Sequence, residues 1–118
     1  MSKIIIPGRP VPAVRMTQRG KYINQQAQRY LDYKSQVGWA GKTAIKKPIP
    51  KGRYASVTMQ FYICGGQTPD IDNLIKAILD GLNGIAWEDD KQVVGVHAAR
   101  FSAASKDGEY AEIEIKAV

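Results

Sequence analysis

The chain has almost no cysteine, little acid and no long apolar run. Cys64 is the sole cysteine in 118 residues, which excludes an intrachain disulfide and any metal site built from paired thiolates. A small core hydrophobe in a strand is the ordinary use of such a residue. His97 is the sole histidine, so a zinc site assembled from Cys and His is excluded as well. It lies in the segment VVGVHAARF, which reads as a strand, where an imidazole is more often packed or half-exposed than a ligand or base. No stretch approaches the ~20 apolar residues that span a bilayer, and no apolar signal-peptide run opens the chain. We expect a cytoplasmic protein with no membrane contact. A chain of 13.0 kDa fits one domain over residues 1–118, with enough surface buried for one core.

Acidic residues number 11 against 17 Lys and Arg, for a net charge of +6 and a pI of about 9.5. Six of the acids fall in one window: Asp70, Asp72, Asp80, Glu88, Asp89 and Asp90. Lys76 is the one basic residue there. The first 53 residues reverse this, with 12 Lys and Arg against Asp32 alone. A cationic body around one anionic patch fits a protein that binds a polyanion and sets a divalent cation against it.

Ser2–Ile6, with three consecutive isoleucines, reads as a buried strand. PGRPVPAVRMTQRG then follows, too rich in proline for a regular element. Its Arg9, Arg15 and Arg19, with Lys21 and Arg29 beyond, are candidate nucleic-acid contacts. A helix is expected from Asn24, its candidate cap, to about Lys46, with Ala27, Tyr30, Leu31, Val37 and Ala40 or Gly41 inward. Gly38 and Gly41 each cost such a helix about 1 kcal/mol, which weakens its second half. Tyr22, Tyr33 and Trp39 are candidates to stack on unpaired bases, whereas Tyr30 suits the core.

Tyr54–Cys64 alternates cleanly, with Ala55, Val57, Met59, Phe61 and Ile63 on one face. After the acidic window, Gln92–Ser102 reads as a strand, Lys106–Gly108 as a turn and Glu109–Ala117 as a last alternating strand. The expected fold is α+β, a four-stranded mixed sheet with two main helices on one side, in the order β-α-β-α-β-β.

Within the acidic window Ile71, Leu74, Ile75, Ile78, Leu79 and Leu82 form the apolar stripe of a helix. Asp70 stands at its start, Asp72 in its first turn and Lys76 one turn further. A cap at the helix start, worth up to about 1 kcal/mol, accounts for one aspartate. Surface pairs along Asp72, Lys76 and Asp80 would add a few tenths each. Neither accounts for Trp87–Glu88–Asp89–Asp90 after the helix. If that segment returns beside Asp70 and Asp72, three or four carboxylates converge and require a cation. Mg²⁺ suits them, being a hard ion that prefers oxygen ligands. An EF-hand is excluded, because the third ligand position would be Leu74 and the required Gly and distal Glu are missing.

PDIDNLIKAILDGLNGIAWEDDKQVV resembles the signature of RusA-family crossover-junction endodeoxyribonucleases. That pattern is Asp-x-Asp-Asn-x-x-Lys at a helix start, then an aromatic residue before paired aspartates that lead into a strand. Here its positions are Asp70, Asp72, Asn73, Lys76, Trp87, Asp89 and Asp90. Length, element order and the Pro/Arg-rich N-terminal region are similar too.

The resemblance implies a Mg²⁺-dependent homodimer, with Mn²⁺ a possible substitute, that binds branched DNA and resolves four-way (Holliday) junctions by paired nicks in recombination and repair. It implies Asp70, Asp72 and Asp90 as metal-binding catalytic carboxylates and Lys76 as a further functional residue. Adjacent side chains entering a strand point to opposite faces, so one of Asp89 and Asp90 faces the metal and the other faces away. A bacterial, phage or prophage setting suits such a chain. Two alternatives stand beside this reading: a nuclease for flaps or forks with the same chemistry, and a non-catalytic accessory protein that binds nucleic acid.

Overall fold

A computed structural model of the chain describes residues 2–15 and 25–118. Arg19, Lys21, Tyr22 and Asn24 lie outside the described residues.

The elements are β1 (Ser2–Pro7), α1 (Gln25–Ala44), β2 (Ala55–Ile63), α2 (Ile71–Leu82), β3 (Val93–Ser102) and β4 (Tyr110–Ala117). Single 3₁₀ turns occupy Asp90–Gln92 and Lys106–Gly108. This is the expected α+β order. The strands lie β1-β4-β2-β3 across one mixed sheet. β4 pairs antiparallel with β1 and β2, while β2 and β3 run parallel from Ala55↔Val93 to Ile63↔Ser102. Parallel neighbours need a crossover, and α2 is that crossover.

The period of two in β2 buries Ala55, Val57, Met59, Phe61 and Ile63. With Ile4, Ile6, Ile113 and Ile115 they meet Tyr30, Val37, Leu74, Ile78 and Leu82 from the helices in one core. Each large apolar side chain so buried contributes about 1.5–3 kcal/mol.

The glycines expected to weaken α1 sit where it crosses α2. A Cβ on Gly41 would lie 2.7 Å from Leu82 Cδ2, and one on Gly81 would lie 2.7 Å from Val37 Cγ1. Missing side chains let the two backbones approach, and this packing outweighs the propensity cost. α1 therefore persists through both Gly38 and Gly41 to Ala44. Tyr33 is buried as deeply as Tyr30, at 4% exposure, so neither ring can stack on a base. Trp39 is 70% exposed, with Lys42 Nζ 5.2 Å from its ring centroid.

The Pro/Arg segment packs against the body. Pro10 and Ala13 are buried, and Ala13 N donates to Asn73 O in α2 at 2.9 Å. At the opposite edge the helix layer leaves β3 partly uncovered: Val94 is 61% and Val96 42% exposed.

Candidate active site

Asp70 is delivered by the loop between β2 and α2, and long-range contacts hold that loop. Gly65 and Gly66 turn the chain at φ of 60° and 73°, a region glycine enters without steric cost. Arg9 Nη1 donates to Glu109 Oε2 at 2.8 Å and to Cys64 O at 3.2 Å. Its Nη2 donates to Gly65 O and Gln67 O, both at 3.0 Å. Glu109, 7% exposed, also accepts from Cys64 N at 2.9 Å. From β3, Arg100 Nη1 donates to Pro69 O at 2.6 Å.

At the end of this loop Asp70 occupies the N-cap of α2 with extended backbone, φ −66° and ψ 137°, yet its side chain makes no capping hydrogen bond. Capping is therefore not what its carboxylate does. Asp72, in the first turn, and Lys76, one turn on, are both exposed. The positive end of the helix dipole favours negative charge here. A groove of about 530 Å³ opens beside Asp70, lined also by Asn73, Gln26, Arg9 and Arg29. Arg29 is exposed on the first turns of α1, and Arg15 is exposed in the N-terminal segment. Arg9, offered by sequence as a nucleic-acid contact, has its guanidinium committed to the loop; its side chain is 36% exposed.

Asp90 lies elsewhere. Its Oδ1 accepts from Trp87 Nε1 at 2.9 Å, and Trp87 is fully buried. The return of this segment beside Asp70 and Asp72, expected if the carboxylates were to converge, does not occur within one chain. A parallel crossover brings the chain back to the start of the next strand, not to the end it has just left. Asp70 follows the Ile63/Ser102 end of the β2–β3 pair, whereas Asp90 precedes the Ala55/Val93 end. The 12 residues of α2 set these ends about 18 Å apart. Among the described residues no three Asp, Glu, His or Cys side chains group closely enough to hold a metal ion.

Asp89 and Asp90 differ in their contacts on grounds other than strand alternation. The chain enters β3 at Val93, not Gln92, through a one-turn 3₁₀ helix. Asp89 is its cap, accepting from Lys91 N at 3.1 Å. Gln92 Oε1 accepts from Asp89 N at 3.0 Å and Glu88 N at 2.8 Å. Gln92 Nε2 donates to the carbonyls of Ile49, Pro50 and Arg53 at 2.9–3.1 Å. This amide ties the Asp89–Asp90 turn to the loop before β2. Asp80, further along α2, accepts from Tyr30 OH at 2.6 Å, a bond that helps join the two helices.

Sequence reading missed Arg9, Glu109, Arg100 and Gln92 as the residues that hold both acidic ends in place. No local pattern could have found Arg9, Glu109 and Arg100, because their partners lie 31 to 100 residues away; for Gln92 the local signal was its capping-box spacing from Asp89.

No individual curated protein matches the chain. The family described as Endodeoxyribonuclease RusA matches residues 7–116, which takes in both acidic ends, the helix between them and, apart from Ala117, all of β2, β3 and β4. The chain belongs to the RusA endodeoxyribonuclease family.

Proposed function

We propose that the protein is a divalent-cation-dependent endonuclease that resolves four-way DNA junctions as a homodimer, by symmetric nicks in two strands. The observation that carries this reading is the pair Asp70 and Asp72 at the start of α2. Asp70 is free of any capping role and opens on a groove shared with Arg29. Family membership supports the class of reaction.

Hydrolysis of a phosphodiester needs a water deprotonated beside the phosphorus and negative charge neutralised as the 3′ oxygen leaves. Asp70 and Asp72 offer hard oxygen donors of the kind that Mg²⁺, or Mn²⁺ in its place, prefers. One chain thus supplies two of the three carboxylates that the family pattern calls for. Such an ion, when bound, supplies an acidified water and a counter-charge for the phosphate. Lys76 stands one turn from Asp72 and meets charge that develops on the phosphoryl oxygens. Arg29, which lines the groove, positions the strand through its phosphate, and Arg15, exposed in the N-terminal segment, offers a further phosphate contact. The loop contacts of Arg9, Glu109 and Arg100 keep Asp70 in register with these groups.

The test is cleavage of a synthetic four-way junction with and without Mg²⁺, beside duplex and flap controls and the Asp72→Asn variant. Paired nicks at symmetric positions that need both Mg²⁺ and Asp72 are the expected result. Binding without scission under Mg²⁺ or Mn²⁺ would overturn the reading, and equal cutting of flaps would move the substrate to other branched DNA.

A further inference from the structure

Trp39 is the most exposed large apolar side chain among the described residues, at 70%, although tryptophan is on average one of the better-buried residues. It forms one wall of a crevice of about 480 Å³ between α1 and α2. Gly38, Gly81 and Ile85 give the crevice an apolar lining. Lys34 and Lys42 line it too, both exposed, and Lys46 and Lys47 follow the end of α1, also exposed. Asp80, the one acid among its described lining residues, already accepts from Tyr30 OH. The crevice shares no lining residue with the groove at Asp70. The rise of α1 sets Trp39 about 15 Å beyond Arg29.

We propose that this crevice is a second nucleic-acid subsite, in which an unpaired base stacks on Trp39 while Lys34 and Lys42 hold the phosphates beside it. An aromatic wall beside an apolar lining suits a flat ring, and flanking cations suit the phosphates that such a ring carries in a strand. The bases of an intact duplex are already stacked on one another, so the occupant is a single strand of DNA, splayed from a branch point or carried by a flap. Lys42 Nζ lies 5.2 Å from the Trp39 ring centroid and covers one face of the indole. An exposed cation–π contact of this kind is weak. A phosphate within reach draws the ammonium away and leaves the ring open to a base. The inference rests on the proposed function for its ligand, a DNA strand, and not for cleavage.

Trp39 and Trp87 are the two tryptophans of the chain, and Trp87 is fully buried, so emission that a ligand quenches reports on Trp39. The protein, without divalent cation, is titrated with a short oligothymidylate, a fully abasic strand of the same length, and thymidine monophosphate. The oligothymidylate should quench the Trp39 emission and the abasic strand should not. By anisotropy of labelled strands, Trp39→Ala should weaken oligothymidylate binding by about fivefold to a hundredfold. It should leave the affinity for the abasic strand unchanged. Trp39→Tyr should restore most of the loss, and both variants should unfold at the temperature of wild type. Lys34→Ala/Lys42→Ala should lower the slope of log affinity against log salt by about 1.4. Equal loss for the intact and abasic strands, or no loss for either, would overturn base stacking. Quenching by thymidine monophosphate at the same concentrations would overturn a strand as the occupant. Trp39-dependent binding without cleavage of any DNA under Mg²⁺ would uphold the subsite while refuting the nuclease reading. Junction cleavage with Trp39 emission unmoved by oligothymidylate would refute the subsite alone.

Discussion

Arg9 and Glu109 meet at 2.8 Å across 100 residues of sequence. The same carboxylate oxygen takes the amide of Cys64. One buried acid thus fixes both the N-terminal segment and the loop that ends in Asp70. Glu109→Ala should cost about 1–3 kcal/mol in urea unfolding, because it leaves two donors without their acceptor. The loss stays below that of a fully buried pair because Arg9 keeps contact with water. Cleavage by this variant, measured where it remains folded, should fall further than stability alone explains, since Asp70 loses its support.

Asp70 and Asp89 are both cap residues by position, but only Asp89 caps with its side chain. Asp70→Asn should leave stability within about 0.5 kcal/mol of wild type, abolish nicking and preserve junction binding in a gel-shift assay. Asp89→Ala should instead lose about 1 kcal/mol. A large stability loss for Asp70→Asn would return that residue to a structural role.

Arg29 lines the groove beside Asp70 and is exposed. Arg29→Ala should weaken junction binding and reduce the slope of log affinity against log salt by about 1, the mark of one lost phosphate contact. Thermal unfolding should be unchanged. An unaltered salt slope would place the strand outside the groove.

Gly81 admits Val37 so closely that an added Cβ would lie 2.8 Å from Val37 Cβ and 3.2 Å from Lys34 O. Gly81→Ala should destabilise by about 1–3 kcal/mol through overpacking, despite the roughly 1 kcal/mol that alanine adds to a helix. Gly38→Ala meets Ile85 Cδ1 at 3.3 Å and Gly81 O at 3.5 Å, and should cost less. Denaturant midpoints of the two variants decide the order.

Burial, and for Tyr30 the added hydrogen bond to Asp80, holds the Tyr30 phenol well above its ordinary pKa of 10.0; burial alone does so for Tyr33. A raised folded-state pKa gives stability that is complete below the unfolded value and lost as pH climbs beyond it. Unfolding free energy should therefore drop from pH 10 upward, and less steeply in the Tyr33→Phe variant. At neutral pH that variant should be as stable as wild type or more so, because the Tyr33 hydroxyl is buried with no hydrogen-bond partner among the described residues.

Local pattern made much of the fold readable. The alternation of Ala55 to Ile63 and the stripe from Ile71 to Leu82 each follow from a period that only one element satisfies. The family motif marked Asp70, Asp72 and Lys76, which local geometry places at the cap, in the first turn and one turn further along one helix. What the pattern could not carry was the path between elements. Whether Asp90 returns to Asp70 depends on β3 lying parallel to β2, and strand order is a property of the whole sheet. Gly38 and Gly41 read as weaknesses because their value lies in Leu82 and Ile85, residues of another segment. Tyr33 read as a surface ring because its neighbours on the core side come from beyond its own helix.

The crossover that separates the two acidic ends makes this region sensitive to length more than to composition. A single residue inserted into α2 would turn everything after it by about 100° and advance it about 1.5 Å. Leu82 would leave Gly41, and the Trp87–Asp90 turn would lose its seat against Ile49. Natural variation in this stretch should therefore appear as exchanges of one side chain for another, while insertions and deletions collect in the turns around Gly52 and Gly108.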